Sequence, residues 1–199
     1  PESNFQLIVP KRLQSQLCGS IREGHFDGVA TVMVRLLKLV KPDYLLLGEK
    51  DWQQFVILRE LIKSIGLPVK VRGVATVRDS DELAFSSRNQ YLTQSERNNS
   101  LALPRELSKA AIDANAGESI DLKKIRSSLE RKGLTVEYLK VVDPYNLQTK
   151  QQDNQLSLLA AAIRCGTTRL IDHTFLMNRK PIVAIDGPAG AGKSTVTRA

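Results

Sequence analysis

PDYLLLGEKDWQQ, residues 42–54, decides the fold. Pro42 cannot continue a helix. Tyr44 to Leu47 is a short apolar run that stops at Gly48, and residues 52–64 return to helical spacing before Gly66-Leu67-Pro68 closes them. An uninterrupted apolar run reads as a buried strand of a parallel sheet. Val69 to Val74 supplies the next strand, so strand, helix and strand follow within about thirty residues, the length of a βαβ unit. Open sheets of this kind bind ligands beyond the carboxyl ends of their strands. Gly48, Glu49, Lys50 and Asp51 fall at that end.

Outward from this unit the chain divides into three blocks. Residues 1–75 hold the βαβ unit and, before it, a predicted helix over 25–40, with apolar positions at Val29, Val32, Met33, Leu36, Leu37 and Val40. Residues 76–177 open with a polar stretch. Thr93 and Glu96 then form a T-x-x-E capping box starting a helix predicted to run through about Ala114. A further helix is expected over 121–132, closed by Gly133. Three β-rich runs follow, Leu134 to Val142, Leu156 to Ile163 and Thr168 to Leu176, with a tight hairpin at Gly166-Thr167. Helices followed by strands describe a small α+β domain. Residues 178–199 start afresh with the apolar run Ile182 to Ile185. The fold class is therefore α/β: an incomplete Rossmann-like sheet, a small α+β domain, and the first strand and loop of a third unit.

Composition narrows the function classes. Of 199 residues, 42% are hydrophobic and 25% charged, ordinary for a soluble protein. Neither a membrane span nor a signal peptide is visible, and two cysteines outside any CxxC pattern read as reduced thiols, so a cytoplasmic location is expected. A net charge of +8 raises nucleic-acid binding, but the charge is scattered and aromatics are only 5%, so no nucleic-acid partner is expected. The excess reads instead as pockets for phosphate-bearing ligands.

Gly187, Pro188, Ala189, Gly190, Ala191, Gly192, Lys193 and Ser194 match G-x-x-x-x-G-K-[ST] after an apolar strand. Backbone N–H groups of such a loop wrap phosphate oxygens. Lys193 would reach the β- and γ-phosphates of ATP, and the Ser194 hydroxyl would ligate Mg²⁺. A chance glycine-rich turn is the bland alternative. At the first strand's end, Lys50 suits a nucleotide phosphate and Gln54 a substrate hydroxyl or carboxylate; equally, Asp51 and Gln54 could be an N-cap and its N3 partner. Ser86, Ser87 and Arg88 suit a polyphosphate, or else form a solvated turn before the capped helix. His25 reads as a helix starter.

Taken together, REGHFDGVATV (22–32), PDYLLLGEKDWQQ (42–54), ATVRDSDELAFSSRNQYL (75–92) and GTTRLID (166–172) resemble the pantoate–β-alanine ligase family over about Pro1 to Phe175. PIVAIDGPAGAGKST then resembles the opening of a cytidylate kinase, the order found in bifunctional ligase–kinase fusions. The resemblance implies ATP, pantoate and β-alanine as ligase substrates and CMP for the kinase. Pantoate would attack the α-phosphorus of ATP, and β-alanine would displace AMP from the pantoyl adenylate. Lys50 and Arg88 would be the catalytic cations. Gly48, Glu49, Asp51, Val77, Phe85, Ser86 and Ser87 would line the nucleotide with them, and Gln54 would hold pantoate. A homodimer and a lid-like second domain are further family expectations.

Three positions depart from the family pattern: Phe85 stands where Met or Leu is usual, Ala75 where Pro is common, and Glu82 where Gly is frequent. The chain lacks an initial Met, lacks the family's histidine-bearing ATP loop, and stops soon after Ser194. We therefore expect a piece cut at both ends and inactive in both reactions by itself. Two other readings compete. A P-loop nucleotide kinase with a non-catalytic N-terminal extension would leave GEKDWQQ and SSRNQYL as coincidences. A basic nucleic-acid-binding module would show strongly salt-dependent RNA binding.

Overall fold

The structure is a computed structural model that describes residues 6–150 and 155–178. In chain order it contains α1 (Lys11–Gln14), a 3-10 turn (Leu17–Ser20), α2 (His25–Val40), β1 (Tyr44–Gly48), a 3-10 turn (Glu49–Asp51), α3 (Trp52–Ser64) and β2 (Lys70–Val74). A 3-10 turn (Ser87–Tyr91), α4 (Gln94–Ser100), α5 (Ala102–Asn115), α6 (Leu122–Glu130), β3 (Thr135–Val142), β4 (Ser157–Cys165) and β5 (Thr168–Leu176) follow. β1 and β2 pair in parallel, Tyr44 opposite Lys70 through Gly48 opposite Val74. β3, β4 and β5 form an antiparallel sheet in that order. Gly187 to Ser194, the phosphate-loop motif, lies outside the described residues.

β4 organises the interior. Its sequence, SLLAAAIRC, is buried at every position but Arg164. Alternate side chains of a strand point to opposite faces, and here both faces are covered. Leu158, Ala160 and Ala162 pack with Phe26 and Ala30 of α2 and Phe55 to Leu58 of α3. Leu159, Ala161 and Ile163 pack with Leu103, Leu107 and Ala110 of α5 and Ile125 and Leu129 of α6. The small alanines let the helices approach the middle strand, and the absence of polar alternation follows from double burial.

Several local expectations are met. The Thr93–Glu96 capping box is present with both reciprocal bonds. The helix expected over 121–132 is α6, Leu122–Glu130, followed by Gly133 at a positive φ; Asp121, not singled out in the sequence, caps it through the amides of Lys123 and Lys124. Gly166 takes a positive φ in the β4–β5 turn.

Others are corrected. The single helix expected from about residue 94 to Ala114 is two, broken at Leu101. Pro104 explains the break, because it has no N–H and its ring crowds the carbonyl four residues back. Helix α2 has the expected extent, but its buried stripe is Phe26, Ala30, Val34 and Leu37, while Val32, Leu36 and Val40 are exposed. An α2 that is apolar nearly all round cannot reveal its inner face by periodicity. The expected burial of β1 holds only at Leu47, with Leu46 63% exposed, because β1 and β2 are the whole parallel sheet among the described residues.

Glu82 adopts φ +72 in the tight turn between Asp79 and Leu83. A non-glycine residue pays about 1–2 kcal/mol for that left-handed conformation. Glu82→Gly is accordingly expected to stabilise the protein by about 1 kcal/mol, raising its thermal midpoint by roughly 2–4 °C. A calorimetric scan showing no rise would mean the turn is unstrained.

Candidate active site

At the carboxyl end of β1 the chain turns through Glu49–Asp51 into α3, and this turn delivers Lys50 and Asp51 to the mouth of a partly open cavity. Gln53 and Gln54 of α3, Arg22 and His25 at the start of α2, and Arg169, Asp172 and His173 of β5 line the same space. Arg88 enters it from the 3-10 turn Ser87–Tyr91. Thus Lys50 and Arg88, 38 positions apart in sequence, face one cavity. The side chains of Arg22, Lys50 and Arg88 make no hydrogen bond or ion pair among the described residues. Three unpaired cations around one open space make it receptive to anions.

Each wall is fixed by its own contacts. Gly24, at φ +69, lets the chain reverse so that His25 opens α2 against the cavity. Gln53 is 4% exposed and wholly committed to structure: its Nε2 donates to the carbonyls of Leu13 and Gln16 at 2.8 Å, and its Oε1 accepts from the Gly19 amide at 3.3 Å. Gln54, the next residue, keeps its amide for the cavity. Trp52 Nε1 donates to the Pro144 carbonyl at 2.8 Å, and its ring stacks obliquely on His173 and edge-on with Phe175. On the opposite wall, Ser86 Oγ accepts from the Arg88 amide, and the Asn89 side chain donates to Asp79 and to the Ala84 carbonyl. Arg97 then bridges Asp79 and Asp81 at 2.7 Å each. The hydrogen bonds that Arg97 donates to Asp81 and Asp79 raise its pKa, and Arg97 in turn lowers that of Asp81.

The remaining sequence-predicted residues sit elsewhere. Glu49 leans over Gly73 of β2, away from the cavity lining. Val77 and Phe85 are 66% and 63% exposed and do not line it, nor do Gly48, Ser86 or Ser87. Asp51 stands at the N-cap position of α3 but makes no side-chain cap bond, which removes the capping alternative for Asp51 and Gln54. Sequence reasoning missed Arg22, His25, Arg169, Asp172 and His173. The available signal was their place inside REGHFDGVATV and GTTRLIDH, two separate stretches that only tertiary packing unites.

Both histidines are held neutral near pH 7. Burial lowers the His25 pKa, Arg22 and Arg169 lower it further, and Asp51 opposes them. Burial also lowers that of His173, with Asp172 opposing. Among the described residues no group of three His, Cys, Asp or Glu is placed to hold a metal, and no helix is long and apolar enough to cross a membrane.

A polar cavity at the carboxyl end of a parallel strand, walled by a second sheet, defines an α/β protein with the crevice-type site of open parallel sheets. Residues 2–175 match the family described as Pantoate-beta-alanine ligase, and the chain belongs to that family. A Prochlorococcus marinus protein named "Bifunctional pantoate ligase/cytidylate kinase" is 62% identical over 99% of this chain and 40% of its own length. The chain thus spans about two fifths of that curated relative. The pantothenate synthetase of Thermus thermophilus superposes with a TM-score of 0.78 at 35% identity, covering 85% of this chain and 63% of that one. A Francisella tularensis pantoate–β-alanine ligase, described as "Complexed with Beta-gamma ATP and Beta-alanine", superposes at 0.69 with 26% identity, covering 85% and 57%.

The lowered histidines give a pH signature. The folded His173 takes up a proton less readily than the unfolded chain, so its contribution to stability is complete above about pH 6.5 and lost as pH falls below it. The thermal midpoint should drop between about pH 7.5 and pH 5.5, and His173→Gln should flatten that drop. An identical slope in the variant would contradict the assignment.

Proposed function

We propose that this chain carries the phosphate- and substrate-handling wall of a pantoate–β-alanine ligase, which adenylates pantoate with ATP and transfers the pantoyl group to β-alanine. The observation that supports it is the convergence of unpaired Lys50 and Arg88 on one cavity. Such cations stabilise charge developing on a triphosphate as the bond between its α- and β-phosphates breaks. Gln54, free of structural bonds, would orient pantoate. Ser86 and Ser87 would reach the phosphates, and Val77, Phe85, Gly48 and Glu49 the nucleotide, once the segment around residues 76–92 closes over it. Neutral His25, beside Asp51, faces the same space and is suited to accept the proton that the attacking amine must lose. Magnesium, expected with ATP, enters none of these steps.

The relatives' names, together with residues 187–194, support a cytidylate kinase following the ligase in the same protein. Its P-loop would bind ATP and magnesium as the motif implies, with CMP as acceptor.

In the full-length protein, AMP formation should require both pantoate and β-alanine. Lys50→Ala and Arg88→Ala should each lower kcat/KM for ATP by about 10²-fold or more. AMP formation that ignores pantoate, or variants as active as wild type, would overturn the reading. ADP formation that depends on CMP would report the kinase separately.

A further inference from the structure

Beside the cavity, β4 and β5 set Arg164 and Arg169 directly opposite each other in the antiparallel register. Like charges facing across a strand pair are unfavourable. One carboxylate relieves both: Glu137 accepts from Arg164 Nε and from Arg169 Nε, each at 2.6 Å. It can do so because the β3–β4 register slips between Val136 and Tyr138, leaving Glu137 at the irregularity. Bulges of this kind re-aim a side chain next to functional sites. The two guanidiniums, overcoming the opposing effect of burial, hold the Glu137 carboxyl below its usual range.

One negative charge therefore serves two arginines, and Arg164 remains half exposed. With Arg22 and Arg88, the pair lines an open groove of about 900 Å³, and Thr167 contributes to its wall. The groove shares Arg22, Arg88 and Arg169 with the cavity, so these three guanidiniums border both spaces.

We propose that this groove is a second anion site, suited to a small, multiply charged phosphate such as inorganic pyrophosphate. The proposal rests on the adenylation reading above. In that step a pantoate carboxylate oxygen bonds to the α-phosphorus, and the bridging oxygen leaves with pyrophosphate, beside Arg88. The groove receives the departing anion and clears the cavity for the amine. Four guanidiniums against one carboxylate favour a ligand with two or more negative charges over a monocarboxylate, and their paired donors match phosphate oxygens.

The test is calorimetric titration of inorganic pyrophosphate into the full-length protein and its Arg164→Gln variant, with steady-state constants for ATP and β-alanine measured alongside. Glu137 keeps Arg169 as partner in this variant, and its thermal midpoint verifies folding. Loss of one charged contact should weaken pyrophosphate binding about tenfold, with the KM for ATP changing by much less. Arg164→Lys should recover part of the loss. An unchanged pyrophosphate constant overturns the proposal. So does an unchanged pyrophosphate constant with a raised KM for β-alanine, which would assign the groove to the amine's carboxylate. The titration needs no turnover, so Arg164-dependent binding in a protein without pantoate-dependent AMP formation would support the groove while refuting the reaction.

Discussion

The Arg78–Asp172 ion pair is the constraint on which the site's geometry depends. Asp172 is 3% exposed in β5, and its two oxygens accept from the two terminal nitrogens of Arg78 at 2.8 and 3.0 Å. Removing Arg78 would leave the buried Asp172 carboxylate without compensation; because Arg78 is itself 29% exposed, the cost falls below the roughly 3–5 kcal/mol of a fully buried pair. Arg78 also donates to the Glu82 carbonyl and forms a lone bridge with Ala84. One guanidinium thus ties the loop after β2 to the antiparallel sheet. The turn bearing Arg88 follows directly and is carried to the cavity's far side.

From that anchor the rest is a chain of local consequences. Arg97, Asp79, Asp81 and Asn89 stiffen the loop. On the near wall, Gln53 pins the segment before α2, and Trp52 joins α3 to Pro144 in the loop after β3. The two walls approach because β4, buried on both faces, holds α2 and α3 on one side and α5 and α6 on the other. Among the described residues, Arg22, Lys50 and Arg88 are left without partners at the seam, an arrangement receptive to anions. The same logic extends along β3 to β5, where one glutamate at a register slip faces two arginines.

Much of this was legible in residue order. The βαβ unit followed from an apolar run between Pro42 and Gly48, and the capping box from Thr93 and Glu96. Lys50 and Arg88 were readable as candidate phosphate partners from residue type and loop position, and the fold brings both to one cavity. What escaped was information held only in three dimensions. His25 and Arg22 belong to the start of a helix, and Arg169 to His173 belong to a strand whose alternation reports burial, not ligand contact. Gln53 and Gln54 are adjacent and identical in type, yet one is spent on three structural bonds and the other faces the cavity. The inner face of α2 was hidden by its all-round apolar sequence, and Pro104 was a break signal passed over inside an otherwise helical pattern.

A crystal structure of the full-length protein with a non-hydrolysable ATP decides whether two distant segments grip one phosphate chain. The triphosphate should lie between Lys50 and Arg88, with both side chains within about 3.2 Å of its oxygens. A nucleotide that touches one of them and leaves the other in solvent, or that binds away from this cavity, would contradict the account.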